Sequence, residues 1–181
     1  RKGYHTIRNK HMKIEKLFFS FHIGARQLLS LVVTRGNAKL ADITQNLLKR
    51  LRRRARGATI RLVLDAGAAQ NHGDLLNLVD HPRQVTLVRT PRRSPYRKAW
   101  KALPENAWQH IEEPGPYTDA PPKTIHIADT TMEVVAARKK GAPTRSATAR
   151  TIVVREEGNR GKDRWHAIWV FGDDTTPPYD L

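Results

Sequence analysis

The chain has 181 residues, enough for one domain of ordinary size that buries a hydrophobic core. It has no cysteine, so disulfide frameworks, thiolate zinc sites, iron–sulfur clusters and a cysteine nucleophile are excluded. With 33 lysines and arginines against 17 aspartates and glutamates, the net charge is +16, and a chain this basic is expected to bind a polyanion. No apolar run approaches the length of a membrane span, which favours a soluble, cytoplasmic protein.

The positive charge is concentrated in the first third of the chain. Residues 1–56 contain 15 lysines and arginines but only two acids, Glu15 and Asp42, which gives this part a net charge of +13. A membrane surface also attracts such charge, but it usually requires an amphipathic insertion face or a lipid anchor, and neither is evident. Nucleic acid is therefore the expected partner, and residues 1–16 are predicted to form a basic N-terminal arm.

A β-hairpin and a basic helix are predicted after this arm. The segments 17–23 and 27–33 are rich in aromatic and β-branched residues and are separated by a glycine break. Apolar residues then recur at helical spacing from Leu40 to Ala55, and the helix is predicted to end at Gly57. Its last part carries six cations, Lys49, Arg50, Arg52, Arg53, Arg54 and Arg56. They form either a solvated face that confers solubility or a face that contacts phosphates or a partner.

The next segment has the alternating pattern of an α/β sheet. Ile60–Leu64 is a short apolar run typical of a strand buried inside a sheet, and it leads directly into Asp65. Residues 73–79 are predicted to be helical, with Asn71 or Gly73 as the cap, and residues 84–89 to form a second strand. Strands that alternate with helices pair side by side, and ligands gather at their carboxyl ends.

The remainder of the chain is predicted to be irregular at first and then rich in strands. Seven prolines lie between residues 90 and 123, which leaves room only for a short helix around residues 96–103. Strands are predicted at 124–128, 133–138, 151–156 and 164–171.

Asp65 is the strongest candidate in the sequence for a residue that binds a metal ion. A carboxylate that emerges from a strand onto a glycine turn is held rigidly and suits Mg²⁺ or Mn²⁺, which prefer oxygen ligands. An Asp before a glycine also often begins a turn, and the pattern leaves these two interpretations about even. The other candidate acids, Glu156, Glu157, Asp129 and Asp173, are predicted to border turns. The chain by itself is therefore expected to lack a complete catalytic set.

The order of these elements resembles a known family. The segment 16–33, followed by Arg35-Gly36-Asn37, the basic helix, Arg61-Leu62-Val63-Leu64-Asp65-Ala66-Gly67 and the strand Thr86–Thr90, resembles the middle of a DDE transposase of a bacterial insertion sequence. Residues 150–157 and 162–167 are similar in style to the β-rich part that such enzymes place before their last catalytic helix.

The resemblance implies a fold and a division of the chain. The fold would be α/β, an incomplete RNase H-like mixed sheet with flanking helices plus a β-rich insertion. The divisions would be the arm at 1–16, an RNase H-like core fragment at 17–90, a proline-rich connection at 91–122, and the β-rich insertion with a truncated C-terminal end at 123–181.

The resemblance also implies a function. Asp65 would be catalytic, as the second acid of a trio that binds Mg²⁺ or Mn²⁺ in the complete enzyme. The first acid would fall before Arg1 and the third beyond Leu181, so the chain would be a fragment that binds DNA without a complete metal site. The six cations of the basic helix would contact DNA, and the enzyme would act as a homodimer on element ends. The alternative is a nonenzymatic nucleic-acid-binding protein, for example one associated with the ribosome.

Overall fold

The chain forms two compact units, Arg1–Arg54 and Ala55–Leu181. The structure is a computed structural model, and it describes residues 3–5, 10–12, 15–22, 26–35, 39–54, 56–91, 94–114, 122–136, 144–158 and 163–178. The boundary between the units falls inside the predicted segment 17–90. Each unit has its own strand pairing.

The first unit contains two antiparallel strand pairs and a helix. Strand β1 (Gly3–His5) pairs with β2 (Lys10–Met12) inside the predicted basic arm, where no strand was expected. Strands β3 (Glu15–His22) and β4 (Gln27–Arg35) form the predicted hairpin, with a register shift between Ser20 and Phe21. Helix α1 (Leu40–Arg54) follows and ends three residues before Gly57, the predicted helix end.

The second unit has a mixed α/β fold built on one six-stranded sheet. Its elements are β5 (Ile60–Leu64), α2 (His72–Val79), β6 (Gln84–Arg89), α3 (Arg97–Lys101), β7 (Trp108–Glu113), β8 (Lys123–Val135), β9 (Ser146–Glu156) and β10 (Arg164–Phe171). The strand order is β5-β6-β10-β9-β8-β7. Only the β5–β6 pair is parallel, and the other four pairs are antiparallel. The pairing of β6 with β10 joins the predicted segments 17–90 and 123–181 in one sheet.

The β5–α2–β6 segment forms as the sequence predicts. The side chain of Asn71 accepts a hydrogen bond from the backbone N–H of Asp74 at 3.2 Å, which caps the first turn of α2. The apolar face of α2 is buried through Leu75, Leu76 and Leu78. At the other end of the helix, Gln84 Nε2 donates to the Leu78 carbonyl at 2.7 Å and so ties α2 to the start of β6.

The prediction that residues 60–64 form a strand inside the sheet is wrong. In the described part of the chain, β5 pairs with β6 alone and therefore lies at an edge. Arg61 and Val63 are exposed, whereas Leu62 and Leu64 are half-buried. A short aliphatic run is compatible with an edge strand that is buried on one side and with a central strand that is buried on both. The composition of residues 60–64 therefore does not distinguish an edge strand from a central one.

Two further expectations about strands are wrong. The proline-rich connection contains β7, because Pro104 and Pro114 lie on either side of the strand and leave its six residues free to pair. The predicted pieces 124–128 and 133–138 belong to one strand, β8, as far as Val135; residues 137 and 138 lie outside the described residues. Asp129 consequently lies within a strand and does not border a turn.

Both faces of the sheet carry apolar side chains. On one face, Trp100 of α3 packs with Trp108, Ala128, Val153 and Ala167. The other face carries a cluster of β-branched residues, Ile125, Ile127 and Ile152. Such residues favour strands, and Ile152 is only 1% exposed.

A network of charges, in which only the Asp174 carboxylate is buried, holds the segment after β10. Arg150 binds Asp129 through two nitrogens and donates to the carbonyls of Asp174 and Thr176, each at 2.8 Å. The Asp174 carboxylate lies 3.0 Å from Arg61 of β5 and is 7% exposed. Hydrogen bonding from the Thr176 hydroxyl, with the charges of Arg61 and Arg150, lowers the pKa of Asp174 despite its burial. The hydrogen bond to Asp129 raises the pKa of Arg150.

Candidate nucleic-acid interface

Helix α1 presents most of the predicted DNA-binding cations to solvent. Its most buried side chains are Thr44 and Leu48, which are 6% and 2% exposed and lie one turn apart on one face. The exposed cations of the helix are Lys49, Arg50, Arg53 and Arg54. Since Asp42 lies in the first turn, no acid interrupts this group of cations.

Two of the six predicted cations lie elsewhere. Arg52 follows Leu48 by four residues and is therefore half-buried on the same face as Thr44, with its Nε atom inaccessible to solvent. Arg56 is exposed but lies beyond the last helical residue, in the turn that Gly57 completes with a φ of +82°. The surface formed by Lys49, Arg50, Arg53 and Arg54 is called the α1 surface below.

The α1 surface also stabilises its own helix. Arg53 Nε donates to the Lys49 carbonyl at 3.3 Å, and positive charge in the last turn is favourable at the negative end of the helix dipole. These effects do not require a nucleic acid. The helix also places four cations close together, where each can neutralise a phosphate.

Asp65 lies exposed at the carboxyl end of β5 and forms a turn. Its Oδ1 accepts a hydrogen bond from the Gly67 N–H at 3.0 Å, and its carbonyl accepts one from Ala68 at 3.2 Å. This is the Asp turn that the sequence left open as an alternative to a metal ligand. In the described residues, no three His, Asp or Glu side chains are grouped so that they could hold one metal ion.

Three of the four other acids considered as partners of Asp65 have their own neighbours, and the fourth, Asp173, is exposed in the bend after β10. Asp129 is bound by Arg150 within the sheet. Glu156 ends β9, and Glu157 Oε1 lies 2.9 Å from Nε2 of His126. Their positions at the end of β9 agree with the expected strand end.

Two residues not singled out as site residues lie at the same end of the sheet as Asp65. Arg89 follows Val88, the registered partner of Leu64, so Arg89 and Asp65 emerge from adjacent strands at neighbouring positions. His166 of β10 has its Nδ1 4.0 Å from Glu156. No sequence pattern links these residues, because β6 and β10 are brought together only by the sheet.

The environment of His166 favours its neutral form. Burial lowers its pKa, the positive charge of Arg89 lowers it further, and Glu156 partly opposes both effects. A histidine with a lowered pKa is a neutral imidazole at neutral pH, and one of its ring nitrogens can accept a hydrogen bond.

Two further observations concern the described helices and the full sequence. Among the described helices, none combines the length and the apolar character that crossing a bilayer requires. The sequence matches no model of a known protein family and no curated protein.

Proposed function

We propose that this chain binds DNA as part of a DDE-type transposase, with the α1 surface on the phosphates and Asp65 as one metal-binding carboxylate of an RNase H-like domain. The observation that carries the proposal is the succession of elements: the β3–β4 hairpin, helix α1, strand β5 ending at Asp65, helix α2, and a parallel strand β6. This succession is the one on which the resemblance to the transposase family rests. Strands β8, β9 and β10 lie within residues 123–181, the segment for which the resemblance implies a β-rich insertion.

The electrostatics of the chain support DNA as the ligand. Four exposed cations on one helix, in a chain of net charge +16, form a surface that attracts phosphates of any sequence. Contacts of this kind position a protein on DNA without reading bases. The proposal includes a homodimer that holds two element ends.

The residues around Asp65 fit a single metal ligand only. One carboxylate with one oxygen engaged by Gly67 suits a hydrated Mg²⁺ that also binds a phosphate. Bound Mg²⁺ would supply charge neutralisation at the phosphate. Two-metal cleavage requires acids from several elements, so no cleavage step is assigned to the described residues.

The first test is the salt dependence of duplex binding. We expect log K to fall linearly with log salt concentration, with a slope of about −0.9 for each phosphate contact, so four contacts on the α1 surface give a slope of roughly −3.6. Fluorescence anisotropy with labelled duplexes of two unrelated sequences measures the slope. Equal affinities for the two sequences are expected. An affinity that does not change with salt would refute the proposal.

A nonenzymatic nucleic-acid-binding protein is the second candidate. The hydrogen bond from Gly67 to Asp65 favours it, because this bond gives Asp65 a role in the turn without a metal ion.

The variant Asp65→Asn separates the two candidates. It removes the charge and keeps an oxygen that accepts from Gly67. If Asp65 faces DNA, the variant should bind duplex a few-fold more tightly than wild type in EDTA, because a negative charge near phosphates is gone. Mg²⁺ should remove this difference. Glu112→Gln, at an exposed position of β7, is the matched control and should have no effect. Identical Mg²⁺ dependence in Asp65→Asn and wild type would support the nonenzymatic candidate.

A further inference from the structure

A cleft of about 520 Å³ opens beside α3 in the second unit, far along the chain from the α1 surface. Its walls include three cations, Arg97, Lys101 and Arg155, and two tryptophans, Trp108 and Trp165. Its volume falls in the range of sites that hold one small organic ligand. A ligand that fits this cleft must carry negative charge to pair with the cations and a group that packs against the tryptophans.

Trp165 is the aromatic wall of the cleft. Lys101 Nζ lies 5.9 Å and Arg155 Cζ lies 5.8 Å from the centre of its ring. Trp108 meets the ring edge to face at 5.7 Å and is 9% exposed, so it fixes the position of Trp165. Trp165 itself is half-buried and keeps part of its surface open to the cleft.

The cations of the cleft exceed its acids. Asp163 is bound by Arg155 at 2.8 Å, and Glu105 is the other acid in the lining. Arg97 and Lys101 make no ion pair within the part of the chain that the structure describes, and Arg97 Nε is buried without a hydrogen-bond partner. The positive charges of Arg97 and Lys101 therefore favour an anionic ligand in the cleft.

Two lining residues, Trp165 and Arg155, begin a row of planar side chains across the sheet. Trp165, Arg155, His126 and His110 occupy paired positions on the four consecutive strands β10, β9, β8 and β7. The rings of His110 and His126 meet edge to face at 4.6 Å. His126 is buried at 6% exposure, so Trp165, Arg155 and His110 are the members of the row that leave planar surface on which an unpaired base stacks.

We propose that this cleft binds an unpaired nucleotide of a single nucleic-acid strand, with its phosphate on Lys101 and Arg97 and its base against Trp165. A base in an intact duplex is paired and stacked and cannot enter a cleft, whereas the base of a single strand can. The inference rests on the proposed function for its ligand class, nucleic acid, and assigns it a second binding surface.

The test compares two charge reversals on the same short helix. Lys101→Glu changes a cleft residue, and Lys98→Glu makes the same change at an exposed position outside the cleft. We expect Lys101→Glu to weaken binding of a 20-nucleotide oligo-dT by about fivefold at 0.1 M salt, the loss of one contact to a single strand. Lys98→Glu should lose less than twofold. Both variants should bind a blunt-ended duplex equally well.

A second variant tests the aromatic wall. Trp165→Leu should weaken oligo-dT binding by about tenfold, and Trp165→Phe should restore most of the affinity, because stacking requires a ring. Unfolding midpoints of both variants show whether each is folded. Phe and Leu variants of equal affinity would overturn the inference, as would equal effects of Lys98→Glu and Lys101→Glu on single strands. Either result would overturn only the single-strand site. The proposed function would still hold if the wild-type protein binds duplex DNA as proposed. Charge reversal on the α1 surface tests that function separately.

Discussion

Replacing Arg50, Arg53 and Arg54 by glutamate is expected to lower the affinity for duplex DNA by a factor of about 500 at 0.1 M salt. Each cation that contacts a phosphate contributes about 0.9 to the slope of log K against log salt, so three contacts contribute roughly 2.7 logarithmic units at this concentration. The three residues are exposed at the end of α1, so their replacement leaves Thr44 and Leu48 buried. Fluorescence anisotropy over a range of salt concentrations should show the slope of log K against log salt reduced by about 2.7.

A second triple variant separates the position of the charges from their number. Arg83, Lys98 and Arg164 are exposed cations of the second unit, and their replacement by glutamate changes the net charge by the same amount. This variant should lose affinity only through the weaker long-range field, by less than about tenfold. If both triple variants lose affinity equally, DNA responds to overall charge and the α1 surface has no special role.

Replacing Gly172 by alanine should lower the free energy of unfolding of the second unit by roughly 3 kcal/mol. Gly172 has a φ of +90°, a conformation that residues with a Cβ adopt only at a cost. An added Cβ would also lie 2.4 Å from the Gln84 carbonyl oxygen and 3.3 Å from Val85 Cα. Both atoms belong to the backbone of β6, which cannot move without disturbing its pairing with β10.

Gly57 provides a matched control for this substitution. It has a similar φ of +82°, but an added Cβ would meet only the end of Arg83 at 3.8 Å. Gly57→Ala should therefore show the conformational cost alone, about 1 kcal/mol. All four tryptophans, Trp100, Trp108, Trp165 and Trp169, lie in the second unit, so their fluorescence during urea unfolding reports on it. Equal decreases in the free energy of unfolding for Gly57→Ala and Gly172→Ala would show that the contact of the added Cβ with β6 does not destabilise the unit.

Local patterns in the sequence predict many of the local elements of this fold, although not β1, β2 or β7. The hairpin of β3 and β4, the capped helix α2 and the strands β5 and β6 all depend on neighbouring residues, and all are present. Whether a strand lies at the edge or in the interior of the sheet depends on its pairing with distant residues. Residues 60–64 and 84–89 have similar composition, yet β6 is buried because β10 pairs with its second edge, and β5 is not.

The candidate sites also depend on contacts between distant residues, which local sequence patterns do not reveal. Apolar residues at helical spacing are expected to mark the buried face of the helix, but the two most buried side chains of α1 are Thr44 and Leu48. The consequence is that Arg52 is half-buried. The cleft beside α3 could not be predicted, because Lys101, Arg155 and Trp165 come together only when α3 packs on strands β9 and β10.

The strand order of the sheet has a consequence for the order of folding. Strands β8, β9 and β10 are joined by short connections, whereas β6 pairs with β10 through residues such as Arg89 and Ile168, roughly 80 positions apart. Closing a loop of that length costs more entropy than forming a local hairpin, and it must precede the contacts that reward it. We therefore expect β8–β10 to form an antiparallel nucleus on which β6, carrying α2 and β5 with it, docks in a later and slower step.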